Sequence, residues 1–204
     1  MAIEKFYVNS TSYQDIAAAM YGTLVPDYFS SVTFDGQTQE INCLDDDGNL
    51  AMKITAEGAV ICYTSQRDYV NAFSIAGADL AYAYVCSFGV MLQFGLNYGN
   101  PGCILFSKTN QGKTAIVCCN NLYTTIYRVA YGDVAQTNTL TFTPVTGNQT
   151  QLVPFCTDSQ MNAVSYTPNA FYIPYGQYYT MGYGAIKIDN QTYLTNGYWA
   201  IKDA

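Results

Sequence analysis

The chain has 204 residues, with 8 Lys and Arg against 15 Asp and Glu, a formal charge of −7, and no His. The missing His excludes Ser-His-Asp and Cys-His nucleophilic sites and every imidazole-based zinc or iron site. The acidic balance argues against a face that neutralises nucleic-acid phosphates, and charged residues make up 11% of the chain, where an ordinary soluble domain has roughly 25%.

The first legible element is a helix. Ser12 is placed to cap a segment over 13–21, Asp15 lies at its positive amino end and Gly22 is placed to close it. Ile16, Ala19 and Met20 recur at three- and four-residue spacing and form one apolar stripe, a candidate interface. Beyond Pro26 the period changes to two. Strands are expected at 31–34, 39–44, 50–54, 59–63, 69–75, 81–86, 90–94, 103–107, 114–119, 124–130, 139–143 and 151–155. A closing meander follows at 183–188, 191–195 and 198–201, with Asn196-Gly197 as the strongest hairpin signal in the chain. Many short strands with turn residues between them predict a mostly β protein: a β-sandwich or barrel-like antiparallel sheets with a short N-terminal α-helix. The expected division is an N-terminal arm and helix over 1–25 and a β domain over 26–204.

No apolar run approaches the ~18–20 residues of a membrane helix, and the first residues lack the pattern of a secretory signal. The expectation is a chain made in the cytoplasm, with no membrane partner. The seven cysteines, at 43, 62, 86, 103, 118, 119 and 156, are odd in number, include no C-x-x-C pair and mostly lie inside apolar runs. Such cysteines read as reduced, structural thiols rather than a disulfide framework or a soft metal site.

The densest charge cluster is Asp45-Asp46-Asp47-Gly48-Asn49. Asp45, Asp47 and Asn49 offer hard oxygen ligands for Ca²⁺, but an EF-hand loop wants Gly at its sixth position and an acid at its twelfth. Counted from Asp45 these are Leu50 and Ala56, so the favoured reading is a solvated hairpin turn. Asn110-Gln111-Gly112-Lys113-Thr114 has the tail of a phosphate-binding loop, yet position 107 is Ser and the following Ala115-Ile116-Val117-Cys118 is a strand, so it too reads as a turn. The N-x-T triplets at Asn9, Asn148 and Asn190 read as Asn/Thr-rich turns. Paired carboxylates hydrolyse glycosides without His, but the acids here sit mostly at turns and Trp199 is the one Trp. No catalysis and no cofactor are expected.

The most unusual stretch is 166–183, where Tyr166, Phe171, Tyr172, Tyr175, Tyr178, Tyr179 and Tyr183 lie among Pro and Gly. Tyr offers a large rigid face and a polar tip at low entropic cost, which suits contact surfaces. Three readings stay open: a subunit interface, a loop covering the domain's own core, and a platform for sugar rings. Trp199 joins Tyr172, Tyr175, Tyr178, Tyr179 and Tyr183 as interface or glycan-contact candidates.

Two segments carry a family resemblance. The opening Asn9-Ser10-Thr11-Ser12-Tyr13-Gln14-Asp15-Ile16-Ala17-Ala18-Ala19-Met20 resembles the Ile-Ala-x-Ala-Ile/Met helix found beside strand-rich regions in virion structural proteins of tailed phages infecting Gram-positive, gut-type bacteria. The ending, 185–203, is similar to the closing hairpins of such proteins. Together they span about 30 residues; where the related segments continue with a basic residue and a Gly-Thr turn, this chain has Tyr21-Gly22-Thr23. The resemblance implies a capsid or tail accessory, or fibre-type, component located in the virion, whose partners are copies of itself, other virion proteins and, in a tail, a host-surface glycan. A carbohydrate-binding β-sandwich module of a bacterial surface protein is the alternative.

Overall fold

The computed structural model describes residues 4–7, 11–63, 69–78, 80–95, 102–119, 126–130, 153–156, 166–172, 184–188, 190–195 and 199–203. After strand β1 (Glu4–Tyr7) comes helix α1 (Tyr13–Leu24). The five strands β2 (Ser31–Asp35), β3 (Glu40–Leu44), β4 (Leu50–Ile54), β5 (Ala59–Tyr63) and β6 (Tyr69–Ser74) then form one antiparallel meander, sheet B. Sheet A takes β7 (Leu80–Cys86), β8 (Gly89–Phe94), β9 (Gly102–Lys108), β10 (Thr114–Cys119) and β11 (Ile126–Ala130), with β1 paired to β7 at one edge. Sheet C contains β12 (Val153–Cys156), β13 (Tyr166–Tyr172), β14 (Gly184–Ile188), β15 (Gln191–Thr195) and β16 (Trp199–Lys202), in the order β12-β13-β16-β15-β14.

The expected mostly β architecture with a short helix is what the chain adopts. The sandwich form is realised: the described strand orders are linear, and no sheet closes on itself as a barrel would. Strand 139–143 and the Asn196-Gly197 turn lie outside the described residues. Tyr166–Tyr172, read as part of a Tyr-rich loop, is a strand, and β1 had no signal at all in so short a segment.

The three sheets stack in layers, with sheet A in the middle. One face of sheet A (Ala83, Val90, Leu92, Phe94, Ile104, Phe106, Ile116 and Cys118) packs against α1 and the inward row of sheet B, including Ile41, Cys43, Met52, Ile54, Val60 and Cys62. Its other face (Tyr84, Met91, Cys103, Leu105 and Val117) packs against Ala170, Leu194 and Ile201 of sheet C. The register puts like with like: Val90 opposes Phe106, which opposes Ile116, while Met91 opposes Leu105, which opposes Val117. Alternate residues of one strand therefore serve two different cores. A strand buried on both faces needs a continuous apolar run, whereas a half-buried strand alternates. Every residue of β8 is buried, but β3 and β5 alternate buried and part-exposed.

Helix α1 begins where Ser12 accepts a hydrogen bond from the Asp15 N–H at 3.4 Å. It runs past Gly22, its expected end, to Leu24. A glycine inside a helix costs about 1 kcal/mol relative to Ala, while burying a Leu side chain stabilises by about 1.5–3 kcal/mol. Leu24 is fully buried in the core shared by sheets A and B, so the longer helix wins. Within 1–25, β1 extends sheet A and α1 fills the core.

Three hairpins use one turn. In each, residue i donates its N–H to the carbonyl of i+4, the glycine at i+3 donates to the carbonyl of i, and the side chain of i accepts the N–H of i+4. The sets are Asp45 with Gly48 and Asn49, Thr55 with Gly58 and Ala59, and Thr109 with Gly112 and Lys113. Gly48, Gly58 and Gly112 have φ of 78°, 83° and 78°, the left-handed conformation that a three-residue hairpin loop requires.

Candidate functional site

The acidic loop 45–49 is built as that turn. Asp45 is buried, and its Oδ1 accepts the backbone N–H of Asp47 at 3.0 Å and of Asn49 at 2.6 Å. Its backbone carbonyl accepts a hydrogen bond from the Ser30 hydroxyl, which also donates to the Leu44 carbonyl at 3.3 Å. The carboxylate of Asp45 thus closes a hairpin, while Asp47 and Asn49 are exposed. Among the described residues no group of three or more Cys, Asp or Glu is arranged to hold a metal ion. Asn110-Gln111-Gly112-Lys113 is likewise a turn, with Thr109 Oγ1 accepting the N–H of Gln111 at 3.3 Å and of Lys113 at 3.2 Å. The strand β10 follows it directly.

The helix stripe proposed as an interface is turned inward. Ile16 and Met20 are fully buried in the chain's own core and Ala19 packs against it. This corrects the expectation: an amphipathic stripe at helical spacing has no label for whose core it enters, and here sheets A and B take it. Of the large hydrophobic residues of α1, Tyr21 is exposed, at 54%.

Of the aromatic candidates, Tyr172 and Trp199 are brought together: they are register partners on β13 and β16. Tyr175, Tyr178, Tyr179 and Tyr183 lie outside the described residues. Next to that pair, Phe171 and Tyr193 meet edge-to-face, with ring centroids 5.8 Å apart and planes at 80°. Sheet C therefore gathers aromatics from β13, β15 and β16.

Two polar clusters had no sequence signal. In the first, Tyr28 after the helix packs against Phe106, and the Lys108 ammonium stands 5.3 Å from the Tyr28 ring centroid. Lys108 Nζ donates to Thr114 Oγ1 at 3.1 Å, and that hydroxyl donates to the Tyr28 carbonyl at 3.0 Å. Burial pushes the Lys108 pKa down, opposed by the charges of Asp46 and Asp27. Burial pushes the Tyr28 phenol well above its ordinary value, reinforced by Cys86 and Asp27. The effect is a tie that fastens the segment after α1 to the β9–β10 hairpin.

The second cluster pins the C-terminal strand. Cys86 Sγ lies 3.5 Å from the carbonyls of Gly89 and Lys202, and Lys202 Nζ stands 5.9 Å from the centre of the Phe88 ring. Asp203 donates its N–H to the Thr192 carbonyl at 2.8 Å, and Gln191 donates its side-chain amide to the Asp203 carbonyl. Toward the other end of β8, the buried Gln93 amide donates to the carbonyls of Phe94 and Gly102 at 3.3 and 3.2 Å. Partners 86 and 116 residues apart explain why no local pattern announced either cluster.

Comparison with protein-family models, with curated proteins and with solved structures finds no match to this chain. Among the described residues, no helix is long and apolar enough to cross a membrane.

Proposed function

We propose that this chain is a non-enzymatic structural protein of a tailed-phage virion, acting by assembly with copies of itself and with neighbouring virion proteins. The observation that carries the reading is where the two resembling segments lie. The first forms α1 on one face of the central sheet, and the second forms β14–β16 on the other. Both are pieces of scaffold, and Ile16, Met20, Leu194 and Ile201 from them fill the two cores. The polar side chains described above close turns and tie segments together, which suits a rigid building block. A surface low in charge also suits contacts between subunits, because burying a charge carries a large desolvation penalty. Contribution to host attachment is the most specific form of this proposal, through the aromatics of sheet C.

The test is the state of association of the purified full chain, measured by size-exclusion chromatography with light scattering. Discrete oligomers, or larger assemblies, are expected. A chain that stays monomeric at high concentration and binds a glycan on an array would overturn the assembly reading in favour of a carbohydrate-binding module.

A further inference from the structure

We propose that Cys62 and Cys118 are a latent disulfide pair, which a peroxide converts into a covalent clamp between sheets B and A. Cys62 lies on β5 and Cys118 on β10, so the pair spans the interface between two layers. Their sulfurs are 3.8 Å apart, and both residues belong to the core that the two sheets share. A disulfide holds its sulfurs about 2.05 Å apart, so closure requires the two Sγ atoms to approach by about 1.8 Å, through side-chain torsion together with a closer approach of the two strands.

The geometry selects this pair over its neighbour. Cys43 lies in the same inward row as Cys62, but Met52 of β4 stands between them in the register. Two strand spacings separate their backbones by roughly 9–10 Å, and Cα atoms more than about 7 Å apart cannot be bridged without moving the chain. Cys103 belongs to the core on the opposite face of sheet A from Cys118.

The chemistry balances with hydrogen peroxide as oxidant. One thiolate attacks hydrogen peroxide, breaking its O–O bond to give a sulfenic acid and hydroxide, and the proton that left the thiol converts the hydroxide to water. The second thiol displaces the hydroxyl group from that sulfur, forming the S–S bond and a second water. Each sulfur loses one hydrogen and the peroxide takes up two electrons. Both thiols are at most 1% exposed, so reaction proceeds through transient parting of the two sheets and is slow in the folded state. Once formed, the bond encloses a loop between positions separated by 56 residues. A crosslink of that span restricts the unfolded chain strongly. The inference rests on the contact between the sheets and is independent of the assembly reading.

The experiment treats the full chain with hydrogen peroxide, blocks the remaining thiols by alkylation and maps the digest by mass spectrometry. A reductant-sensitive peptide joining Cys62 to Cys118, lighter by two hydrogens, is expected. The melting temperature of the oxidised chain should rise by roughly 5–15 °C and return on reduction. Cys118→Ala should abolish both changes, whereas Cys86→Ala should retain them. Oxidation that links other cysteines, or that yields sulfinic and sulfonic acids with no link between 62 and 118, overturns the proposal. Mapping of the wild-type chain decides this even if Cys118→Ala does not fold.

Discussion

Glycine positions show how unevenly single residues carry this fold. A Cβ on Gly58 would stand 2.5 Å from the Ala76 nitrogen and 2.7 Å from its Cα, both backbone atoms that cannot swing aside. Gly112 has nearly the same φ but nothing within 4 Å of its Cβ position. Gly112→Ala should therefore cost about 1 kcal/mol for the left-handed backbone alone. Gly58→Ala should cost clearly more, about 2–4 kcal/mol, because the Ile75–Ala78 turn has to move. Urea denaturation of both variants gives the comparison, and equal losses would contradict the packing described here. Asp35 works differently: its carboxylate accepts the N–H groups of Gln37 at 2.8 Å and Thr38 at 3.3 Å, which hold its pKa below the usual carboxylate value. That turn is strengthened above the ordinary Asp titration range and weakened on acidification.

Among the elements, α1 and the central strands make the sharpest predictions. Leu24→Ala removes a fully buried side chain from the last turn of α1 and should destabilise by about 2–5 kcal/mol. Tyr21→Ala, three residues away on the exposed side, should change stability by less than about 0.5 kcal/mol. Thermal melts of the two variants separate these outcomes, and a large loss for Tyr21→Ala would mean that its ring is covered. Because β8 and β9 are packed on both faces, their amides should exchange with solvent more slowly than those of β3 and β4. Hydrogen exchange followed by mass spectrometry reads this directly; faster exchange in β8 than in β3 would contradict the layer order. The strands themselves were mostly legible: the alternating runs at 39–44 and 59–63 and the Gly-containing turns between them announce a meander. Tyr166–Tyr172 escaped because its Tyr, Pro and Asn content resembles a loop, and pairing with β12 and β16 overrides that weak local preference.

At the scale of the whole molecule, the buried neutral acids set the response to alkali. Burial raises the pKa of the Tyr28 phenol and of the Cys43 thiol, the latter reinforced by Cys62. Above the ordinary Cys and Tyr values the unfolded chain has lost protons that the folded chain retains, so stability falls as pH rises. The fall should begin above about pH 8.5 for the thiol and about pH 10 for the phenol. Urea midpoints measured from pH 7 to 11 should decline over that window, and Tyr28→Phe should flatten the upper part. A midpoint independent of pH would show that these groups stay solvated.

Composition and periodicity were enough for the β class, the capped helix and the turn nature of Asp45–Asn49, because those features depend on residues within a few positions of one another. The continuous apolar runs Val90-Met91-Leu92 and Ile104-Leu105-Phe106 also carried a hint that their strands are covered twice. Which layers do the covering is a long-range matter. Nothing local in Ile16 and Met20 says whether they meet a neighbour's core or their own, and nothing in Cys62 says that Cys118 stands 3.8 Å away. Such pairings follow from how the sheets stack, since the hydrophobic effect rewards buried area without naming a partner and only the packed register does so.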